Sequence, residues 1–407
     1  NGGGIYVIDS DPLFTNSNVS GNIGGGFYIE GEATVRGTII SNNTKSNGQG
    51  GGLYIEGNVY LSDVEVIGNS AEDGGGIKIH ESSPNITNVR ISNNTASSDG
   101  GGVQVGCYDR VARPNLTNVT IENNSARVGG GMYLGGNYSR SSEPSLNHVL
   151  IKNNIATGSI GGGGIYTTYR SIPIITQSTI CENSATTGKG GGLYISASST
   201  MSGITICNNT AYGDGGGIYF NQTSGTYPTI IEATISNNSS QTGINGIFVQ
   251  SGSPTITNSN FVNNMTGFFN FDNSVITSCI QNFWGDTTGP YHPSQNAVGV
   301  GDSTNAFVNV TPWLTEPNVQ APPIPIQNLH ITNSGIDFID LAWDEAVMGD
   351  LAGYRIYYTT DPIGGTYDDS LEVGLNTTFS LSNLSPGYVY KIVATCYDID
   401  SNESWYS

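Results

Sequence analysis

The sequence predicts an all-β chain in which a parallel β-helix solenoid precedes a small β-sandwich. Three observations predict it. A glycine-rich motif returns at intervals of 22 to 33 residues, the apolar pattern alternates with period two and shows no 3.6-residue period, and prolines cluster near residue 320.

The motif begins at Gly2, Gly24, Gly50, Gly74, Gly100, Gly129, Gly162, Gly190 and Gly215, with a degenerate copy from Ile244. Within each repeat, runs such as "GGGIYVI" and "PNITNVRI" alternate apolar and polar residues and carry β-branched side chains, so each holds short strands. A repeat of this length buries its apolar face only by stacking on its neighbours, which makes a solenoid. The glycines suit sharp left-handed turns where a side chain would strike the next coil. The second residue of each "NN" pair recurs as Asn22, Asn43, Asn69, Asn94, Asn124, Asn154, Asn183, Asn209, Asn238 and Asn264. A turn position so restricted is expected to point inward and hydrogen-bond the next rung, about 4.8 Å away.

Composition narrows the function. Glycine is 57 of 407 residues without a Gly-X-Y period, which excludes collagen. A formal charge of −20 argues against nucleic acid, whose phosphates need clustered Lys and Arg. No apolar run reaches the roughly 18 residues of a transmembrane helix. The chain opens inside a repeat and is expected to be a segment of a longer precursor. Its first strand would leave an unpaired edge, so head-to-tail self-association is expected as one option.

The "GGGIY" and "SNNTA" elements resemble the repeats of right-handed parallel β-helix surface proteins, including chlamydia-type polymorphic outer-membrane proteins. The stretch "NFWGDTTGPYHP…VNVTPWL" (282–314) resembles the final coil of such bacterial helices. The resemblance covers residues 1–315 and implies a secreted or cell-surface protein of adhesin type, meeting a glycan or a surface protein. The scaffold also carries lyases and hydrolases, so a polysaccharide lyase or glycoside hydrolase acting on acidic polysaccharide is the alternative.

Residues 316–324 are expected to be a linker and 325–407 a second domain. The strands "DFIDLAW", "GYRIYYTT" and "YVYKIVATCYD" resemble a fibronectin type III sandwich, with Trp343 in the second strand and Tyr390 in the tyrosine corner. From 323 to 407 there are 12 acids and 2 bases, which suits a solvated spacer.

Two features bear on binding. The residue after the inward Ile or Leu of the motif reads Tyr6, Tyr28, Tyr54, Lys78, Gln104, Tyr133, Tyr166, Tyr194, Tyr219 and Phe248. Lys and Gln place this position in solvent, giving an exposed aromatic ladder. It is a platform for sugar rings or a partner protein, or simply tyrosine on a strand surface. The loops 106–114, 135–144 and 167–173 are longer than their counterparts and hold Tyr108, Arg110, Arg113, Tyr138, Arg140, Tyr169 and Arg170. Insertions at one turn of successive coils share a side. The arginines therefore suit a polyanionic glycan, or form solvated loop charges.

No catalytic residue is assigned, since the Asn-Thr-Asp, Gly-His-Gly and Arg-Ile-Lys signatures of polygalacturonase-type hydrolases do not occur. A lyase would draw on the arginine loops with Asp109 and Glu143. No cofactor or metal is expected. Asp73, Asp99 and Asp214 before the glycines could bind calcium, for which there is no specific motif, and are expected to make turn hydrogen bonds instead. Cys181 and Cys207 fall at one place in adjacent coils and are the disulfide candidate; Cys396 is expected to be buried and unpaired.

Overall fold

A computed structural model describes residues 3–136, 139–222, 226–346, 351–360, 367 and 369–406. Each repeat forms one coil, and equivalent strands of successive coils pair in parallel. Three sheets of 12, 8 and 16 strands run the length of the solenoid. The register keeps like over like. Ile77 pairs with Leu53 and Val103, and Ile180 pairs with Ile151 and Ile206. Stacked aliphatic side chains such as Ile55, Ile79, Val105, Leu134 and Ile195 fill a buried core.

The turns explain the repeated letters. Gly100 takes φ +69°, a conformation that costs glycine little. A Cβ on Gly102 would lie 2.7 Å from the Gly131 carbonyl oxygen of the next coil, which forbids any larger residue. In the "NN" pair the two positions divide the work. The first is left-handed, as in Asn93 and Asn123, and even Glu182 adopts φ +56° there. The second points inward. Asn43 through Asn264 are buried, and from Asn22 to Asn238 each side-chain amide donates to the Oδ1 of the next rung at 2.8–3.1 Å.

Residues 282–314 close the C-terminal end of the solenoid, with the Trp284 ring stacked on Phe261 at 4.3 Å. The stretch expected as a linker does not hang free. Asn318 accepts from and donates to the wall at Asn260 and Asn258, and Thr234 and Thr205 donate to the carbonyls of Pro322 and Pro323.

Two three-stranded antiparallel sheets follow and form a β-sandwich. One holds His330–Ser334, Phe338–Ala342 and Thr378–Ser382, the other Leu351–Thr359, Asp369–Gly374 and Lys391–Asp398. Their core contains Trp343, Tyr354, Ile356 and Cys396. The Tyr390 hydroxyl accepts from the Ser385 N–H at 2.8 Å.

Candidate functional site

The aromatic ladder exists but is not the exposed face expected. Rings of consecutive coils stack, Tyr6 on Tyr28 at 4.7 Å, Tyr28 on Tyr54 at 4.8 Å and Tyr219 on Phe248 at 5.4 Å. Tyr6 is exposed, Tyr28, Tyr54, Tyr133 and Tyr166 are half-buried, and Tyr194, Tyr219 and Phe248 are buried. Neighbouring turns cover these last rungs. Lys189 Nζ sits 4.6 Å above the Tyr219 ring and 3.0 Å from its hydroxyl, and Asn221 donates to the Tyr194 hydroxyl. Burial accordingly pushes the Tyr194 hydroxyl up and that of Tyr219 to about 12. Lys78 and Gln104, the residues that argued for solvent, are themselves buried. They satisfy each other through a 2.7 Å hydrogen bond from Lys78 Nζ to Gln104 Oε1.

The three long loops do come together. Ala112, Ser142 and Ser171 bridge as parallel partners, and the Gly136 N–H donates to Thr168 Oγ1 at 3.0 Å. The result is a ridge on the solenoid wall, with Tyr108 68% and Tyr169 45% exposed and Tyr138 outside the described residues. Its charge is balanced. Arg110 faces Glu81 at 3.8 Å and Glu56 at 4.0 Å, and Arg113 meets Glu143 at 2.8 Å. Arg140 Nε donates to the Asp109 carbonyl at 2.7 Å, and Arg170 lies over the Tyr169 ring at 5.4 Å. Glu81 is partly desolvated. Even so, the N–H groups of Asp109 and Tyr108, each at 2.6 Å, hold its carboxyl below the usual range. Carboxylates thus stand beside Arg110 and Arg113, whereas Arg140 meets a backbone carbonyl and Arg170 a ring.

Cys181 and Cys207 pair in register but remain thiols, against the expected disulfide. In-register side chains on parallel strands run side by side at the strand spacing, about 4.8 Å, whereas bridged Cβ atoms sit about 3.8 Å apart. Both lie on the outer side of the wall, buried under Ile324 and Trp405 with Leu150. The pKa of Cys207 is pushed well up by its hydrogen bond with Cys181 and by burial. Cys396 is a buried thiol. Asp73 accepts from Gln49 and from the Asp99 N–H, Asp99 accepts from Arg127, and Asp214 accepts from the Ile244 N–H.

A cleft of about 550 Å³ between the wall and the sandwich was not read from the sequence. Its wall side carries a column of residues in the left-handed conformation: Asn118, His148, Gln177, Gly203 and Glu232, with φ between +45° and +59°. They bend the wall sheet once per coil. The available signal was the fourth residue of "NLTN", "SLNH", "IITQ", "TMSG" and "TIIE", always polar or glycine but never one residue type. The opposite side is Tyr357, Glu403, Trp405 and Tyr406.

The family model described as the right handed beta helix region matches residues 1–147 and 109–283, more than half of the chain. The chain belongs to this β-helix family. Its membership sets the hand of the solenoid and leaves the chemistry of the ridge and cleft to their residues. Parts of this β-helix protein are also similar to solved structures. The third fibronectin III domain of human KIAA0343 protein is 22% identical over 21% of this chain and 78% of that one, with a TM-score of 0.18. Chicken CNTN1 FN1–FN3 domains are 16% identical over 25% of this chain and 32% of that one, at 0.20. Titin module A71 from human cardiac muscle is 18% identical over 21% and 86%, at 0.19. Likenesses this slight carry no argument.

Proposed function

We propose that this β-helix protein is a secreted or cell-surface scaffold of adhesin type whose three-loop ridge is a contact surface for another protein. The observation that carries the reading is the stacking of three long loops from consecutive coils into one ridge with exposed Tyr108 and Tyr169. Tyrosine and arginine are the residues that anchor protein contacts. Because carboxylates already face Arg110 and Arg113, the ridge suits a partner with mixed charge better than a polyanionic chain. The sandwich, with its tyrosine-corner hydrogen bond, fits a fibronectin type III-like module; its contacts to the wall through Gln327 and Trp405 make it a brace. Among the described residues no helix is long and apolar enough to cross a membrane.

The test is adhesion of the labelled protein to cell layers, comparing the wild type with the triple variant Tyr108→Ala, Arg113→Ala and Tyr169→Ala. Adhesion is expected to fall at least about tenfold, as loss of anchoring aromatics and arginine produces, with the melting temperature unchanged. Equal adhesion by the variant would overturn the ridge. New unsaturated or reducing ends released from acidic polysaccharide would replace this reading with the catalytic one.

A further inference from the structure

The cleft between the wall and the sandwich has two unlike sides. The wall side repeats once per coil, so Asn118, His148, Gln177, Gly203 and Glu232 form a straight column parallel to the solenoid axis, with about 4.8 Å between steps. Gln177 and His148 are exposed, and among the described residues no hydrogen bond or ion pair engages the side chains of Gln177 or Glu232. The side chains of Gln177 and Glu232 therefore face the space of the cleft with their hydrogen-bonding capacity unspent, while Asn118 donates to Asn88 and His148 Nδ1 pairs with Asn147.

The sandwich side is aromatic. Trp405 and Tyr406 lie edge-to-face at 5.7 Å, and Tyr406 meets Tyr357 at 5.2 Å. Trp405 Nε1 is buried and makes no hydrogen bond among the described residues, an orphan donor at the cleft's edge. Glu403 holds this side rigid, accepting from Arg355 at 2.6 Å, from Tyr357 at 2.8 Å and from Thr395. Arg355 therefore offsets the Glu403 charge, and Glu232 is left as the uncompensated carboxylate of the cleft.

We propose that this cleft binds a neutral, extended chain of pyranose sugars running along the solenoid axis. A pyranose ring presents a flat C–H face, which packs on Trp and Tyr, and a rim of hydroxyls, which pair with amides and carboxylates. Gln177 and Glu232, two coils apart with Gly203 between them, offer hydrogen-bonding groups spaced by about 10 Å, on the order of two linked sugar units. An extended peptide rises about 3.3 Å per residue and falls out of step with this column. A polyanion meets Glu232 without a compensating cation. Clefts of this size between domains are the usual places for small ligands. The proposal is independent of the ridge, whose residues lie in other loops.

The test is titration of the intact protein with neutral cello-, xylo- and chito-oligosaccharides of two to six units, followed by tryptophan fluorescence and calorimetry. One series is expected to bind, with affinity rising by length and levelling once the column, about 19 Å over four steps, is filled. Gln177→Ala and Glu232→Ala remove wall side chains that have no hydrogen-bond partner among the described residues, and each, at an unchanged melting temperature, is expected to weaken binding about fivefold or more. Trp405→Phe is expected to weaken it and to remove the fluorescence change. The ridge triple variant is expected to bind these sugars as the wild type does. Absence of binding by all three series at millimolar concentration would overturn the proposal. So would affinity unchanged in both wall variants, or displacement of the sugar by an unrelated extended peptide.

Discussion

Asn264 donates from Nδ2 to Asp302 Oδ2 at 2.8 Å, and its backbone N–H reaches the same oxygen at 3.0 Å. This contact ends the internal asparagine column. Every amide above it donates toward the C-terminal end, so the aligned amide dipoles present their positive ends to the Asp302 carboxylate. A carboxylate, which only accepts, completes a column in which every rung donates forward.

The column should be brittle in its middle. Asn154 Oδ1 accepts both the N–H and the side chain of Asn124, while its own Nδ2 donates to Ile121 and Asn183. Asn154→Ala leaves two buried donors and two acceptors short. A loss of about 2–4 kcal/mol is expected in chemical denaturation. Asn154→Asp should be worse, because a carboxylate then faces two carbonyl oxygens. A loss below about 1 kcal/mol for both variants would show that the column does not stabilise the solenoid.

Asp302 should also make stability pH-dependent. Burial raises its pKa, against the hydrogen bonds from Asn264 and Met265 that lower it. A raised carboxyl pKa means that the folded state holds the proton longer than the unfolded state. The contribution is thus fully present below the unfolded pKa and lost as pH rises through the folded one. Denaturation of wild type and Asp302→Asn from pH 3 upward should show this falling segment in the wild type alone.

The solenoid was legible because its restrictions are local and repeated. Gly102 admits no side chain, and the inward asparagine admits no substitute, so both recur in every coil. The ring position was misread at Lys78 and Gln104, since a polar residue signals solvent only when nothing pairs with it, and these two pair with each other. The ridge loops were placed correctly by their spacing. Their charge balance was not, because Glu81 and Glu56 reach Arg110 from preceding coils, 29 and 54 residues away in sequence. The cleft was invisible for a similar reason: it depends on Trp405 packing against Leu150, Cys181 and Cys207, a contact between distant parts of the chain.

That packing has a chemical consequence. All five cysteines are buried, and Cys181 and Cys207 are covered by Ile324 and Trp405. Thiols without access react slowly, and the raised pKa of Cys207 slows it further. An aromatic disulfide reagent should therefore titrate no cysteine rapidly in the native wild type. In Trp405→Ala it should reach Cys181 or Cys207 first, identified by peptide mapping. Rapid labelling of either in the wild type would mean that the sandwich does not rest on the wall.

Lys78 offers the most direct measure of what the outer ladder tolerates. It replaces a tyrosine rung, and burial pushes its pKa down to about 8, partly opposed by Asp73 and Asp99. The folded state thus prefers the neutral amine, while the unfolded chain stays protonated up to the ordinary lysine range, about 10.4. Between those values the unfolded state binds more protons, so stability rises with pH across the window. Below pH 8 the full cost of a buried ammonium is present, and Lys78→Met removes it. Gln104 then loses its donor, which offsets part of the gain. The variant should be more stable at pH 7 by about 1–2 kcal/mol, as for other buried charges replaced by apolar groups. Its advantage should shrink steadily from pH 8 to pH 10.5. A variant less stable than wild type at pH 7, or an advantage that does not change with pH, would show that the Lys78–Gln104 bond outweighs the desolvation of the amine.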